Sequence, residues 1–169
     1  MSDGEPTSSR PYMPGYGIVP ADEGPGLLPW SWAVDRLERT HDFWLSTVWP
    51  DGRPHAMPVW GVWLEDAVWF SSSLGSRKAR NLAADDRCVL TTDNALEPVV
   101  VEGRASLIGD RITILRFVEA VNAKYGTDYD LGFFDPAVNG CWRVPPTWVF
   151  GLVESDFTGS PTRWRFDPS

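Results

Sequence analysis

The chain has 169 residues, enough for one domain with a sizeable core, and its formal net charge at pH 7 is −8. This charge argues against a nucleic-acid partner, because binding a phosphate backbone needs a basic face. We see no signal peptide, and no apolar run approaches the twenty or so residues that cross a bilayer, so we expect no membrane partner. Isolated Cys88 and Cys141, with only His41 and His55 besides, favour a reducing cytoplasm and predict no metal site.

Residues 1–28 are rich in Pro, Gly, Ser and acidic residues and lack a periodic apolar pattern. We interpret them as a flexible or irregular N-terminal arm, and 29–169 as the folded domain. The aromatic residues between Pro11 and Pro20 could lie across a neighbouring subunit, but a disordered tail is the favoured interpretation.

The domain begins with a predicted helix over Trp30–Thr40, for which Ser31 is the candidate cap. An antiparallel meander follows, with a hairpin turn at Asp51-Gly52. Its predicted strands are Phe43–Trp49, His55–Leu64, Ala67–Ser73, Cys88–Thr92 and Val99–Ile108.

A second helix is expected between Asp110 as cap and Gly126 as stop, because Ile114, Val118, Val121 and Tyr125 form one apolar stripe. The aromatic loop that follows, 127–139, could gate a pocket. The last predicted strands are Trp142–Val144 and Thr147–Glu154, interrupted by Pro145-Pro146, and a short one at Arg163–Phe166. Short, regularly spaced strands with few helices indicate a closed or half-closed barrel.

An anion site is outlined between the third strand and the next short helix. Ser76 can cap that helix, whose start would present free backbone N–H groups beside Arg77, Lys78 and Arg80. The hydroxyls of Ser71–Ser73 precede the turn and could complete the site. A solvated basic turn accounts for the same composition equally well.

The order of short motifs along the chain favours the anion site. They are Asp51-Gly-Arg-Pro54, Pro58-Val-Trp60, Val68-Trp-Phe-Ser71, Leu74-Gly-Ser-Arg-Lys-Ala79, Asn81-Leu82, Asp86-Arg87 and Val101-Glu-Gly-Arg-Ala105. This order resembles the split β-barrel flavin and deazaflavin oxidoreductases, the relatives of pyridoxamine 5′-phosphate oxidase, over about Trp30 to Glu154. The resemblance implies a mainly β fold with flanking helices, a six-stranded antiparallel split β-barrel. It also implies a homodimer with the cofactor in a cleft between subunits.

The resemblance also implies residue roles. Lys78 would be the main ligand of the cofactor phosphate, with Ser76, Arg77 and Asn81 around it. Ser71 and Ser72 would offer hydroxyls or backbone groups to the phosphate and the ring. The strand along the tricyclic ring would be Met57, Pro58, Val59 and Trp60, and Trp142 and Trp148 are weaker candidates for the cleft.

Two departures argue against a true pyridoxamine 5′-phosphate oxidase. Met57 stands at about the place of a phosphate-binding arginine, and Pro98 lies near the position of a glutamine. No counterpart of the basic C-terminal set that recognises the vitamin is found. Lys78-Ala-Arg-Asn-Leu82 is more similar to the branch that uses the deazaflavin coenzyme F420, whereas Ser76-Arg-Lys78 also matches the FMN pattern. We favour F420, with FMN as the alternative.

The expected function is hydride transfer between the bound cofactor and a small organic acceptor. The cofactor carries this chemistry, so the sequence identifies no catalytic residue. His55, Tyr125 and Tyr129 are possible proton donors, although structural roles account for them more simply. A non-catalytic carrier of the cofactor and a haem-binding split-barrel protein are the alternatives.

Overall fold

A computed structural model describes residues 5–166. The first four residues of the predicted arm and the last three of the predicted domain lie outside the described residues. The described helices are α1 (Trp30–Arg39), α2 (Arg77–Ala84) and α3 (Arg111–Tyr125). The strands are β1 (Thr7–Ser9), β2 (Asp42–Val48), β3 (Pro54–Leu64), β4 (Ala67–Ser73), β5 (Arg87–Thr92), β6 (Val99–Arg104), β7 (Ser106–Ile108), β8 (Asn139–Val144), β9 (Pro146–Gly151) and β10 (Thr162–Arg165).

The strands form one antiparallel sheet in the order β1-β10-β9-β6-β5-β2-β3-β4-β8-β7. The sheet curls back on itself because β7 continues β6 after a single residue, Ala105. β6 pairs with β5 and β9, whereas β7 pairs with β8 at the far end of the sheet. The mainly β, curled antiparallel fold is therefore as expected.

The count of six strands is wrong for the described residues, which contain ten strands. The predicted strand Val99–Ile108 is divided by a bend at Ala105, and a second break, which the sequence predicted, separates β8 from β9 at Pro145. Proline lacks the N–H that a continuous ladder requires, so the second break has a direct cause. β10, which was predicted as a last short strand, and β1, which was not predicted, extend the sheet.

The predicted N-terminal arm contributes a strand to the sheet, which the sequence did not indicate, and the disordered tail expected for Pro11 to Pro20 stays a prediction. Thr7 to Ser9 pair with Arg165 to Arg163 of β10. Arg10 donates from Nη1 to the carbonyl of Pro161 at 2.8 Å, which anchors the segment after β1. Thr7, Ser8 and Ser9 are all polar, so they show no alternation of apolar and polar residues from which a strand could be predicted. Their pairing with β10 uses backbone groups. The division of the chain near residue 28 stays a prediction.

Two hydrophobic cores lie on opposite faces of part of the sheet. The larger one fills the inside of the curl and includes Phe43, Phe70 and Trp164, each fully buried. The smaller one lies under α3, where the predicted stripe residues Ile114, Val118 and Val121 are buried against β3, β4 and β8. The stripe prediction is therefore confirmed. No helix among residues 5–166 is long and apolar enough to cross a membrane.

Side chains start two of the helices as the sequence predicted. Ser76 accepts a hydrogen bond from Ala79 N at the start of α2, and Asp110 accepts one from Thr113 N at the start of α3. Helix α1 is different, because its N-cap is Pro29 and Ser31 lies inside the first turn. The proposed Ser31 cap is therefore wrong.

Strand β3 changes partners in its middle. Its residues from Pro54 to Trp60 pair with β2, and those from Gly61 to Leu64 pair with β4. The peptide groups of Gly61 lie at this change. Its N–H donates to the Tyr125 hydroxyl at 2.9 Å, and its carbonyl accepts from Lys124 Nζ at 2.7 Å. A Cβ at Gly61 would lie 2.8 Å from a ring carbon of Phe43, so only glycine fits.

The Tyr125 hydroxyl also bridges to the start of β2. Its oxygen lies 2.6 Å from the carbonyl oxygen of His41 and 2.9 Å from that of Gly61. The ring stacks on Trp60 with centroids 4.2 Å apart and an interplanar angle of 4°. One side chain from α3 thus satisfies backbone groups of β2 and β3 together.

We predict that Tyr125→Phe lowers the free energy of unfolding by about 1–3 kcal/mol, because the buried N–H of Gly61 loses its acceptor while the ring stack is retained. Urea denaturation followed by circular dichroism measures the change. The matched control is Tyr12→Phe, since Tyr12 is 88% exposed. Equal stability of the two variants would contradict the prediction.

A second prediction concerns pH. Burial lowers the pKa of Lys124 from 10.5 to about 8. Between these values the unfolded chain holds a proton that the folded chain has released, so raising the pH favours the folded state. We expect the unfolding free energy of the wild type to increase relative to that of Lys124→Met between pH 8 and 10.5. A difference that stays constant over this range, measured by denaturant titration, would exclude the proposed cause.

Candidate functional site

A gap opens between β3 and β4 beyond the pair formed by Gly61 and Phe70, the last residues at which the two strands are paired. The residues that flank the gap next to this pair are Trp60 on β3 and Ser71 on β4. On its other side, strand β4 stays paired with β8 as far as Ser73. Each strand therefore presents a backbone edge to the gap that no strand of the described chain covers.

Helix α2 begins at the end of this gap. Ser76 Oγ lies 3.1 Å from Ser72 Oγ, and its backbone N–H donates to the carbonyl of Ser73 at 3.0 Å. Ser73 Oγ in turn accepts from Gly75 N at 3.2 Å. The first-turn N–H groups of a helix lack intrahelical acceptors, so this cluster of hydroxyls and amides can hold an anion.

Cations flank the helix start. Lys78 is half-buried and, within residues 5–166, forms no ion pair or hydrogen bond through its ammonium group. The guanidinium carbons of Arg77 and Arg53 lie 3.9 and 4.4 Å from the ring centroid of Trp49. Arg53 also forms an ion pair with Asp51 at 2.8 Å, so in a chain of net charge −8 the local positive charge comes from Arg77 and Lys78.

Arg53 and Trp49 were not among the predicted site residues. The hairpin pairs them directly, because Trp49 N donates to the carbonyl of Arg53 at 2.8 Å around the Asp51-Gly52 turn. The sequence predicts that turn, and the turn implies that Trp49 and Arg53 are paired. The sequence does not predict that Arg77 lies near Trp49, because that contact depends on how α2 packs against β2.

Asn81 differs from the other predicted ligands because it is fully buried. Its Nδ2 donates to Thr47 Oγ1 at 3.0 Å, and Oδ1 has no partner among the described residues. Across β2 and β3, Thr47 pairs with His55, whose buried Nδ1 also lacks such a partner. This geometry favours Asn81 as the residue that positions α2 on the barrel.

The four residues predicted to lie along the ring differ in exposure. Met57 and Trp60 are 44% and 43% exposed, and Pro58 is exposed as well. Val59 is buried in the core, so only its backbone can face the gap. Ser71, on the opposite side of the gap, donates from Oγ to the carbonyl of Gly140 at 2.9 Å.

A cavity of about 260 Å³ extends from the gap, with Trp60 and the Ser71–Ser73 segment along one side. The other side is formed by α3 and by the loop that follows it. The structure thus brings Trp60 of β3 together with Ser71 and Ser72 of β4, and the Ser72 hydroxyl bonds to Ser76 at the start of α2. Met57, Pro58, Val59 and Lys78 do not line this cavity. The structure does not place Trp142 there, because this ring is 4% exposed and stacks on Phe70 in the core. Trp148 stacks on Phe150, on another face of the sheet.

Within residues 5–166, no group of three or more His, Cys, Asp or Glu side chains is placed to hold a metal ion. Burial raises the pKa of Cys88 and of Cys141 to about 12, so neither thiol is reactive at neutral pH.

Comparison with solved structures finds the same fold in several proteins. An F420 reductase is 25% identical, with a TM-score of 0.56, over 68% of this chain and 93% of its own. A candidate 5-nitroimidazole antibiotic resistance protein from Bacteroides thetaiotaomicron is 12% identical, with a TM-score of 0.64, over 82% of this chain and 87% of its own. A conserved hypothetical protein from Mycobacterium tuberculosis is 19% identical, with a TM-score of 0.62, over 88% and 87%. The last two show the fold alone.

No curated protein sequence matches the chain significantly. The sequence model of the family described as pyridoxamine 5′-phosphate oxidase matches residues 33–144, more than half of the chain. The matched region includes β2 to β8, all three helices except the start of α1, and the whole gap with its cations. The chain therefore belongs to the pyridoxamine 5′-phosphate oxidase family.

Proposed function

We propose that the protein is an oxidoreductase that transfers a hydride between a bound deazaflavin, coenzyme F420, and a small organic acceptor, with FMN as the alternative cofactor. The observation that carries this proposal is the start of α2, where Ser76 and Lys78 lie at the end of the gap between β3 and β4. Family membership supports a flavin or deazaflavin as the ligand of this gap.

The start of α2 fits a phosphoryl group. The hydroxyls of Ser72 and Ser76 share a hydrogen bond at 3.1 Å, so one of them keeps a free proton to donate to an anionic oxygen. Lys78 adds a cation that no described carboxylate neutralises, and Arg77 adds a second one. Hydrogen bonds from charged donors to phosphate oxygens are stronger than neutral ones, so Lys78 contributes most to the affinity.

The gap fits a flat ring. The edge of β3 between Pro54 and Trp60 offers backbone donors and acceptors, and the exposed side chain of Trp60, which lines the cavity, provides apolar contact. When bound, the cofactor supplies the hydride chemistry, and the protein binds it, orients it and excludes water. A ring held in van der Waals contact with its reaction partner needs no protein nucleophile.

Two observations favour F420 over FMN. The F420 reductase is 25% identical to this chain, and Met57 stands where FMN-dependent pyridoxamine 5′-phosphate oxidases have an arginine. A phosphate held without that arginine depends more heavily on Lys78 and the helix start.

The possible proton donors differ in their availability. Burial raises the pKa of Tyr125 to about 12, and its hydroxyl is occupied by the backbone of β2 and β3. We therefore assign Tyr125 a structural role. Tyr129 lines the cavity and His55 has a free ring nitrogen, so these two remain the candidates.

We also propose that the protein is a homodimer. One row of paired residues crosses the outer face of the sheet, consisting of Pro58, Trp44, Thr91, Val100, Phe150 and Arg163. Trp44 is 49% exposed, and the Phe150 and Trp148 rings on this face are stacked but only partly buried. Four of the six residues in this row are apolar, and a partly exposed, mainly apolar sheet face is typical of an interface, which a second copy of the chain covers symmetrically.

We predict that Lys78→Glu weakens cofactor binding at least tenfold, since it removes one charge-assisted hydrogen bond and adds repulsion. Titrations with F420 and with FMN, followed by fluorescence, measure the effect and identify the preferred cofactor. The matched control is Arg80→Glu, an exposed position in the same helix with the same change of charge. Unchanged affinity in Lys78→Glu would count against the proposed site.

The same titrations separate the alternatives. Oxidation of the reduced cofactor in the presence of organic acceptors distinguishes an enzyme from a carrier. Tight binding of haemin, without binding of either F420 or FMN, would favour the haem-binding alternative.

For the dimer, we predict that Trp44→Glu converts the protein to a monomer, because a carboxylate at the centre of an apolar interface loses its hydration. Light scattering after gel filtration measures the mass. Leu107→Glu is the control, since Leu107 is 58% exposed and lies on β7, away from this face. A monomeric wild type would contradict the proposed assembly.

A further inference from the structure

One wall of the cavity beside the gap consists of residues that were not predicted to bind the cofactor. Three aromatic residues of the loop after α3, Tyr129, Phe133 and Phe134, line this wall, and we call them the aromatic cover. They face Trp60 and the Ser71–Ser73 segment across a cavity of about 260 Å³.

The first end of the aromatic cover is fixed to α3 by Asn122. Its Oδ1 accepts from Thr127 Oγ1 at 2.8 Å and from Tyr129 N at 2.9 Å. Its Nδ2 donates to the carbonyl of Tyr129 at 2.9 Å. One side chain therefore satisfies the backbone of Tyr129 on both sides and sets the position of its ring.

The second end is fixed to the sheet. Asn139 Nδ2 donates to the carbonyl of Phe133 at 2.7 Å, and Leu74 N donates to the carbonyl of Val138 at 2.9 Å. The latter bond joins the loop to the turn that leads into α2. The cover is thus held in place relative to the anion site.

The rings of the cover form a continuous surface. Tyr129 and Phe133 are stacked with centroids 4.1 Å apart, and Phe134 meets Phe133 edge-on at 5.1 Å. Phe134 is 4% exposed and contacts Phe117 of α3, whereas Phe133 is 52% exposed. A large ring left half in solvent, on a loop fixed at both ends, is suited to contact a ligand.

The cavity wall contains no charged side chain, and its polar groups are hydroxyls and one amide. Ser72 and Ser73 each make a hydrogen bond within the chain and keep capacity for another. A charged ligand would lose its hydration here without gaining a counter-ion. Flat walls favour a flat ligand, and the volume lies just below the roughly 300–1,000 Å³ of sites for drug-sized molecules.

We propose that the aromatic cover and Trp60 form the binding site for a neutral, planar molecule of one or two rings. Its rings pack against Tyr129 and Phe133, and its polar edge meets the hydroxyl of Ser73, which the proposed phosphoryl group does not use. The identification of this ligand with the hydride acceptor rests on the proposed function, whereas the site itself does not.

Calorimetric titration of the full chain with naphthalene-2-carboxamide and naphthalene-2-carboxylate tests the site, because the two probes share a ring system and differ in charge. We expect the carboxamide to bind at least tenfold more tightly than the carboxylate. Phe133→Ala should weaken carboxamide binding by about tenfold. Phe157→Ala, the same change at a residue 38% exposed and outside the cavity, should leave it unchanged.

The titration is repeated with F420 or FMN at saturation. Carboxamide binding that persists in this ternary mixture and still depends on Phe133 supports the inference. Absence of binding, equal binding of both probes, no effect of Phe133→Ala, or displacement by the cofactor would overturn it. Probe binding without any binding of F420 or FMN would leave the site standing and refute the proposed function.

Discussion

The peptide group of Gly61 is the point on which the architecture depends. β3 leaves β2 and joins β4 there, and the N–H and carbonyl groups of Gly61 bond to side chains of α3. A buried peptide group without partners costs about 1–3 kcal/mol, and here the Tyr125 hydroxyl and the Lys124 ammonium supply the partners. Because both come from the last turn of α3, the helix that covers the smaller core also stabilises the opening of the sheet. The gap that follows is a consequence of this change of partner.

The site combines a rigid frame with a local reversal of charge. The chain as a whole is acidic, yet Arg77 and Lys78 lie at the start of α2, beside the β2–β3 hairpin in which Arg53 is paired with Asp51. Trp49 keeps the two guanidinium groups near one point. Long-range attraction of an anion is therefore weak, and selection depends on short-range hydrogen bonds, which suits a ligand with one phosphoryl group and a large uncharged ring.

Much of the fold was predictable from local patterns. The Asp51-Gly52 turn, the Ser76 and Asp110 caps and the α3 stripe each depend on residues close in sequence, and each was correct. The Ser31 cap failed because α1 begins at Trp30 with Pro29 as its N-cap, so Ser31 already lies in the first turn. The strand at Thr7–Ser9 was not predicted, because it pairs through its backbone with a strand distant in sequence and its side chains show no apolar periodicity. The candidate site shows the same difference between local and tertiary information. The order of motifs indicated Ser76 and Lys78 as candidate phosphate ligands. The position of the aromatic cover opposite Ser71–Ser73 depends on tertiary contacts, so the sequence did not predict it.

The pairing of β1 with β10 has a consequence for the order of folding. Thr7 and Arg165 are partners, and the curl itself needs β8 and β9, which lie far along the chain from β4 and β6. Contacts between residues so distant in sequence form slowly, because the intervening loop must be closed first. During synthesis, β1 cannot pair until Thr162–Arg165 have left the ribosome, because these residues form its partner strand. Until β10 is in place, the backbone edge of β9 is also unpaired. An unpaired strand edge can bind a chaperone or another copy of the chain.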